Sequence, residues 1–135
     1  MGTIVVDAGI LIAILDRNDA HHASARVAVA GLRGEHVLIL PASAYSEMMV
    51  HPYEHGPRDV RDADGLIDSL PIRVEPASHD VAREAARLRA QRGRALRLPD
   101  ALVIGTAIVV GADRIITTDR GWPDVGIGVD VVGIS

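Results

Sequence analysis

The strongest constraint on how this chain can fold is an alternation. Short runs rich in β-branched residues, TIVV (3–6), HVLIL (36–40), IRV (72–74), RIITT (114–118) and VDVVGI (129–134), recur along its length. Each is bounded by turn or helix-start residues, and between them apolar residues fall at helical spacing. Alternation of this kind predicts an α/β fold: a mostly parallel central sheet of about five short strands, flanked by helices. The stretch from Ser78 to Arg92 opens on a capping serine and carries Val81, Ala85 and Leu88 on one stripe, the pattern of a surface helix. In LRLPDALVIGTAIVVG (96–111), Pro99 suits a first helical turn and Gly111 a helix end. Residues 99–110 are apolar nearly all round, so this helix should lie deep in the core. At 135 residues the chain fits a single domain spanning 1–135.

In open parallel sheets, ligands bind beyond the carboxyl ends of the strands. Four acids fall where they can reach that edge. Asp7 directly follows TIVV and Asp119 directly follows RIITT. Glu47 lies in PASAYSEMMV, a predicted helix opened by Pro41 just after the second strand, one or two turns beyond the same edge. Asp100 starts the apolar helix. Taken alone, Asp100 is an ordinary helix-start residue, favoured by the positive end of the helix dipole. Strand end, turn, surface helix and helix start would each explain one acid; a shared site explains all of them.

Crowded carboxylates repel: two unit charges ~4 Å apart cost about 4 kcal/mol at an effective dielectric of ~20. A divalent cation reverses that sign. Hard oxygen ligands, with no cysteine and no histidine pair on a helix, suit Mg²⁺ or Mn²⁺, which keep part of their water shell and meet phosphate oxygens. Such ions activate water and neutralise charge as a phosphodiester is cleaved. The chemistry indicated is metal-assisted hydrolysis of a nucleic acid.

Composition sets limits on the rest. The net charge of −4 argues against a general nucleic-acid coat protein, since non-specific binding depends on cations. All basic residues are arginine, however, and Arg83, Arg87, Arg89, Arg92, Arg94 and Arg97 crowd one stretch. Arginine suits bidentate phosphate recognition, although a solvated helix face followed by a loop explains the run as well. Arg94 and Arg97 lead into Asp100 and are the pair expected at the rim of an RNA site. Without cysteine there is no disulfide framework and no thiolate chemistry. The N-terminus lacks a basic flank, and no uncharged apolar run approaches the ~20 residues of a membrane span. A soluble, cytoplasmic protein is expected.

The residues IVVDAGILIAIL, SEMM near position 47, LPDALVIGTA near position 100 and IITTDRGW before the end, in this order and spacing, make the sequence resemble PIN-domain ribonucleases. The resemblance is to the VapC toxins of bacterial toxin–antitoxin pairs in particular, and it covers essentially the whole chain. It implies an endoribonuclease in which Asp7, Glu47, Asp100 and Asp119 form the acidic metal-binding and catalytic set, with Mg²⁺ or Mn²⁺ as cofactor. It also implies a protein antitoxin partner and a homodimer. Thr117 resembles the family's hydroxyl residue before the last acid and is expected to support the site. One departure stands out: the family often has Ser or Thr two residues after its first Asp, and this chain has Gly9. The alternative implied by that departure is a non-catalytic protein that keeps the fold and binds antitoxin or RNA.

Other motifs lead less far. HPYEH (51–55) matches the H-x-x-E-H pattern of some zinc peptidases, but that pattern needs a helix, and Pro52 and the following Gly-Pro predict a polar loop. His21 and His22 follow DRND and should begin a surface helix. A receiver-type phosphoryl acceptor would need a lysine, which is absent, and an Asp-x-Asp phosphatase pair fails at Gly9. GWPDVGIG (121–128) has no helix after its glycines and predicts a turn-rich loop rather than a phosphate cradle.

Overall fold

A computed structural model describes residues 2–134. Five parallel strands, β1 (Gly2–Val6), β2 (His36–Pro41), β3 (Ile72–Glu75), β4 (Arg114–Thr117) and β5 (Gly128–Val131), form one sheet in the order β3-β2-β1-β4-β5. The helices are α1 (Ala8–Leu15), α2 (His22–Leu32), α3 (Ala42–His55), α4 (Pro57–Ser69), α5 (His79–Arg92) and α6 (Leu98–Val110), with a 3-10 turn at Gly93–Ala95. From β1 the chain steps outward to β2 and β3, then returns to the other side of β1 as β4. Right-handed crossovers therefore put the helices of the outward steps and those of the return on opposite faces. Burial agrees: Ile4, Val5 and Val6 of β1 and Leu38, Ile39 and Leu40 of β2 are all buried, with no alternation. Edge strand β5 is mostly exposed, and its Asp130 pairs with Arg114 of β4.

The expected elements are present with small shifts. The fourth strand ends at Thr117 rather than Thr118, and the fifth ends at Val131, so 132–134 are not strand. Ser78 caps α5 as expected, its Oγ accepting from Val81 N, and Val81, Ala85 and Leu88 are buried. Helix α2 begins at His22. Helix α6 carries Pro in its first turn, buries Ala101, Val103, Ile104, Gly105, Thr106 and Ala107, and ends on Gly111 at φ 66°, the left-handed value glycine tolerates. Among the described residues no helix is long and apolar enough to cross a membrane.

One expectation is overturned. Residues 51–55 are not a loop: α3 continues through Pro52 to His55, and the Gly56-Pro57 pair ends it and opens α4. Proline removes one helical hydrogen bond, but Pro52 is buried, and its packing outweighs that loss. His51 and His55 consequently share a face, with ring centroids 3.9 Å apart. The helix that a zinc motif requires is thus present. Even so, among the described residues no three His, Cys, Asp or Glu side chains are grouped so as to hold a metal.

Helices α5 and α6 cross at Gly105. A Cβ there would lie 2.9 Å from the Val81 carbonyl oxygen and 3.3 Å from the Ala85 nitrogen, both backbone atoms that cannot swing aside. Gly105→Ala should therefore destabilise the fold by about 1–3 kcal/mol, the scale of overpacking. Gly65 lies within α4 with open space around it. Gly65→Ala should be stabilising by about 0.5–1 kcal/mol. Urea midpoints of the two variants against wild type check both signs.

Candidate active site at the carboxyl edge of the sheet

The strand order reverses between β1 and β4, and the crevice there is where the acids gather. Asp7 follows β1 directly. Its backbone N–H donates to the Ile116 carbonyl at 3.0 Å, one step beyond the ladder, and the residue then caps α1. Both carboxylate oxygens are engaged: Oδ1 accepts from Ala8 N at 2.8 Å and Oδ2 accepts from the Thr117 hydroxyl at 2.7 Å. The same Thr117 oxygen accepts from Asp119 N at 3.0 Å, so one fully buried hydroxyl ties the end of β1 to the residue after β4. Asp119 Oδ1 accepts from Gly121 N at 2.7 Å, which folds the chain back into a tight turn. Glu47 sits in the second turn of α3, beside buried Met48 and Met49, and Asp100 in the first turn of α6.

Electrostatics shows that these residues share one site. The Asp7 carboxyl is pushed up chiefly by burial, opposed by the Thr117 and Ala8 hydrogen bonds, and further raised by Asp119. Glu47 is exposed as a residue, yet its carboxylate is partly desolvated; that raises its pKa first, then repulsion from Asp7 and Asp100, against Arg97. Asp100 is raised by burial, then by Asp119 and Asp7, and held down by the Trp122 indole and Arg97. Each acid named in the sequence therefore acts on, or is acted on by, at least two of the others. Of the two rim arginines, Arg97 stands at the N-cap position of α6 and acts on Glu47 and Asp100, whereas Arg94 stands exposed in the 3-10 turn and shifts none of Asp7, Glu47 and Asp100.

Trp122 was not anticipated as a site residue. Its buried Nε1 makes no hydrogen bond of standard geometry but faces Asp100 closely enough to favour its ionised form. The chain's only tryptophan, just after Asp119 in an irregular loop, was the available sign. Gly9 also has a structural reason: a Cβ there would collide with the Thr118 hydroxyl oxygen.

The donor set fits a hard divalent cation, since every side chain that faces the crevice with a formal negative charge offers oxygen and none offers sulfur. Among the described residues no three of these side chains are grouped closely enough to hold a metal ion directly. Open spacing suits an ion that keeps several waters and meets carboxylates partly through them.

The raised carboxyl of Asp100 carries a pH signature. Its ionised form weakens the folded state, so the penalty is absent below the ordinary value of 3.8, grows as pH rises through the raised value, and is constant above it. In metal-free protein, Asp100→Asn should therefore raise the urea midpoint at pH 7 and lose that advantage at acid pH.

The PIN domain family model matches residues 4–128. Solved structures share the fold. VapC20 of Mycobacterium tuberculosis, a sarcin–ricin loop cleaving toxin, aligns at TM-score 0.70 and 21% identity over 83% of this chain and 86% of its own. A toxin–antitoxin complex from Klebsiella pneumoniae aligns at TM-score 0.74 and 20% identity over 95% and 96%. The VapBC2 structure from Rickettsia felis, bound to a promoter DNA fragment, aligns at TM-score 0.74 and 12% identity over 98% and 99%. No curated protein matches the sequence at a significant level. With the family model spanning nearly all of the chain, and a parallel sheet that gathers four acids at its switch point, this protein belongs to the PIN domain family.

Proposed function

We propose that this chain is a divalent-metal-dependent endoribonuclease and the toxin of a toxin–antitoxin pair. The observation that carries the reading is the chain of like-charge repulsion at one sheet edge, in which Asp119 bears on Asp7 and Asp100 and these two bear on Glu47. Such an arrangement opposes stability unless a cation completes it. These four residues would hold Mg²⁺ or Mn²⁺. When bound, the cation supplies charge neutralisation at the scissile phosphate and lowers the pKa of a water.

The protein's own contribution is orientation. Thr117 fixes the Asp7 carboxylate and the backbone of Asp119 at once, so two ligands from different strands keep a set spacing. Trp122 and Arg97 favour the ionised, ligating form of Asp100 against the stronger effects of burial and the neighbouring acids. Arg97, beside the acids, would take a phosphate next to the cut, and Arg94, one short turn away, the phosphate beyond it. A net charge of −4 is compatible with RNA binding on this account, because the cation offsets the acids and the arginines grip the flanks.

The structures of toxin–antitoxin complexes with this fold support a protein antitoxin as partner, whose basic side chain would suit the acidic crevice. A homodimer is supported by the outer face of α3, where Val50 is 58% and Tyr53 68% exposed. Cytoplasmic RNA is the substrate this role requires.

Purified chain, freed of partner, should cleave RNA with Mg²⁺ or Mn²⁺ and stop on chelation. Asp100→Asn should lower the single-turnover rate by about 100-fold or more, the scale of losing one electrostatic stabiliser. Metal-independent cleavage, or full activity in Asp100→Asn, would remove the proposal, and no cleavage at all would leave a binding protein. For the arginines, Arg94→Ala with Arg97→Ala should weaken RNA binding and flatten its salt dependence by about 0.7–1 for each phosphate no longer neutralised. Most of that change should come from Arg97, measured by fluorescence anisotropy with inactive protein.

A further inference from the structure

Helix α1 carries a glycine in its first turn, and no backbone requirement explains it. Gly9 has no positive φ, and glycine is a poor helix residue. The space beside it is already taken: a Cβ on residue 9 would run into Thr118 Oγ1. Thr118 is half-buried and lies between Thr117, the last residue of β4, and Asp119. Its hydroxyl therefore rests on the first turn of α1, which Asp7 caps, between the segment that carries Asp7 and the residue before Asp119.

The two neighbouring hydroxyls differ in what is left to them. Thr117 gives its proton to Asp7 and accepts from Asp119 N, which commits both functions. Thr118 Oγ1 makes no hydrogen bond with any described residue, so its proton and lone pairs are free. A neutral donor among carboxylates orients water without adding charge. We propose that Thr118 is a positioning residue that supplies the site's free hydroxyl to the water shell of the bound divalent cation, and that Gly9 is the slot that admits it. This rests on the metal-dependent reading above.

The test is Mn²⁺ titration calorimetry on metal-free, partner-free full chain, with thermal midpoints recorded in parallel. Thr118→Val keeps the shape and loses the hydroxyl; it should weaken Mn²⁺ binding about 10- to 100-fold, the range for outer-shell partners, while Thr118→Ser binds like wild type. Thr118→Ala serves as a second hydroxyl-free variant that cannot overpack. Gly9→Ser alone should lower the thermal midpoint, because the slot is occupied. Gly9→Ser with Thr118→Ala moves the hydroxyl across and should recover both the midpoint and most of the affinity. Wild-type Mn²⁺ affinity in Thr118→Val and Thr118→Ala would overturn the role of the hydroxyl, and a swap that recovers nothing would overturn the shared slot. If Asp100→Asn also binds Mn²⁺ like wild type, the metal-dependent reading falls with it; if Asp100→Asn loses affinity while the Thr118 variants do not, only this inference falls.

Discussion

The candidate site depends on the pairing of β1 with β4. These strands come from opposite ends of the chain, yet Val6 registers with Ile116, and the next amide, Asp7 N, closes onto the Ile116 carbonyl. That last backbone bond brings Asp7 level with Thr117, and the threonine hydroxyl then reaches both flanking acids. Because β1 connects outward to β2 and β4 returns from β3, no connection covers the gap above the pair. Helices α3 and α6 border that gap, and their side chains Glu47 and Asp100 complete the ring.

The cluster is held against its own repulsion by a scaffold that has little freedom to relax. Val5, Val6, Leu11, Ile39 and Ile104 are essentially sealed from solvent, and close packing on both sheet faces resists the backbone shifts that would separate the charges. The local compensation is partial. Asp7 has two hydrogen bonds, Asp100 has the Trp122 indole and Arg97, and Glu47 has Arg97 alone. Arg97 is exposed, so its help is screened by salt. What remains is an electrostatic conflict of the kind found at functional sites, where stability is given up for a prepared arrangement of charged groups.

Much of this was legible in the sequence, for physical reasons that differ by residue. Asp7 and Asp119 could be placed because an apolar strand ends where the first charge appears, and Asp100 because Pro99 and Gly111 bracket its helix. Glu47 needed only the phase of a helix opened by Pro41. The failures arose where tertiary packing overrides local preference or where two distant segments meet. Pro52 predicts a break at HPYEH, but burial keeps it inside α3. The strand pattern at 129–134 continues past Val131, although the strand does not. Gly9 read as a missing hydroxyl, and nothing local could reveal that Thr118 fills the same space; that requires the β1–β4 register. Trp122 read as loop filler for the same reason.

The hydrogen bond between Asp7 and Thr117 spans 110 positions of sequence, and it also sets an order of events. Every strand pair in this sheet is parallel, so none forms from a local hairpin, and long-range closures of this kind come late in folding. A chain still emerging during synthesis contains Asp7, Glu47 and Asp100 before it contains β4, yet lacks the strand that anchors the first acid and the fourth acid itself. The acids are thus assembled only when nearly the whole chain is present. If the proposed nuclease activity depends on all four acids, this topology keeps it silent in nascent chains and in fragments and switches it on as a single event with completion of the sheet.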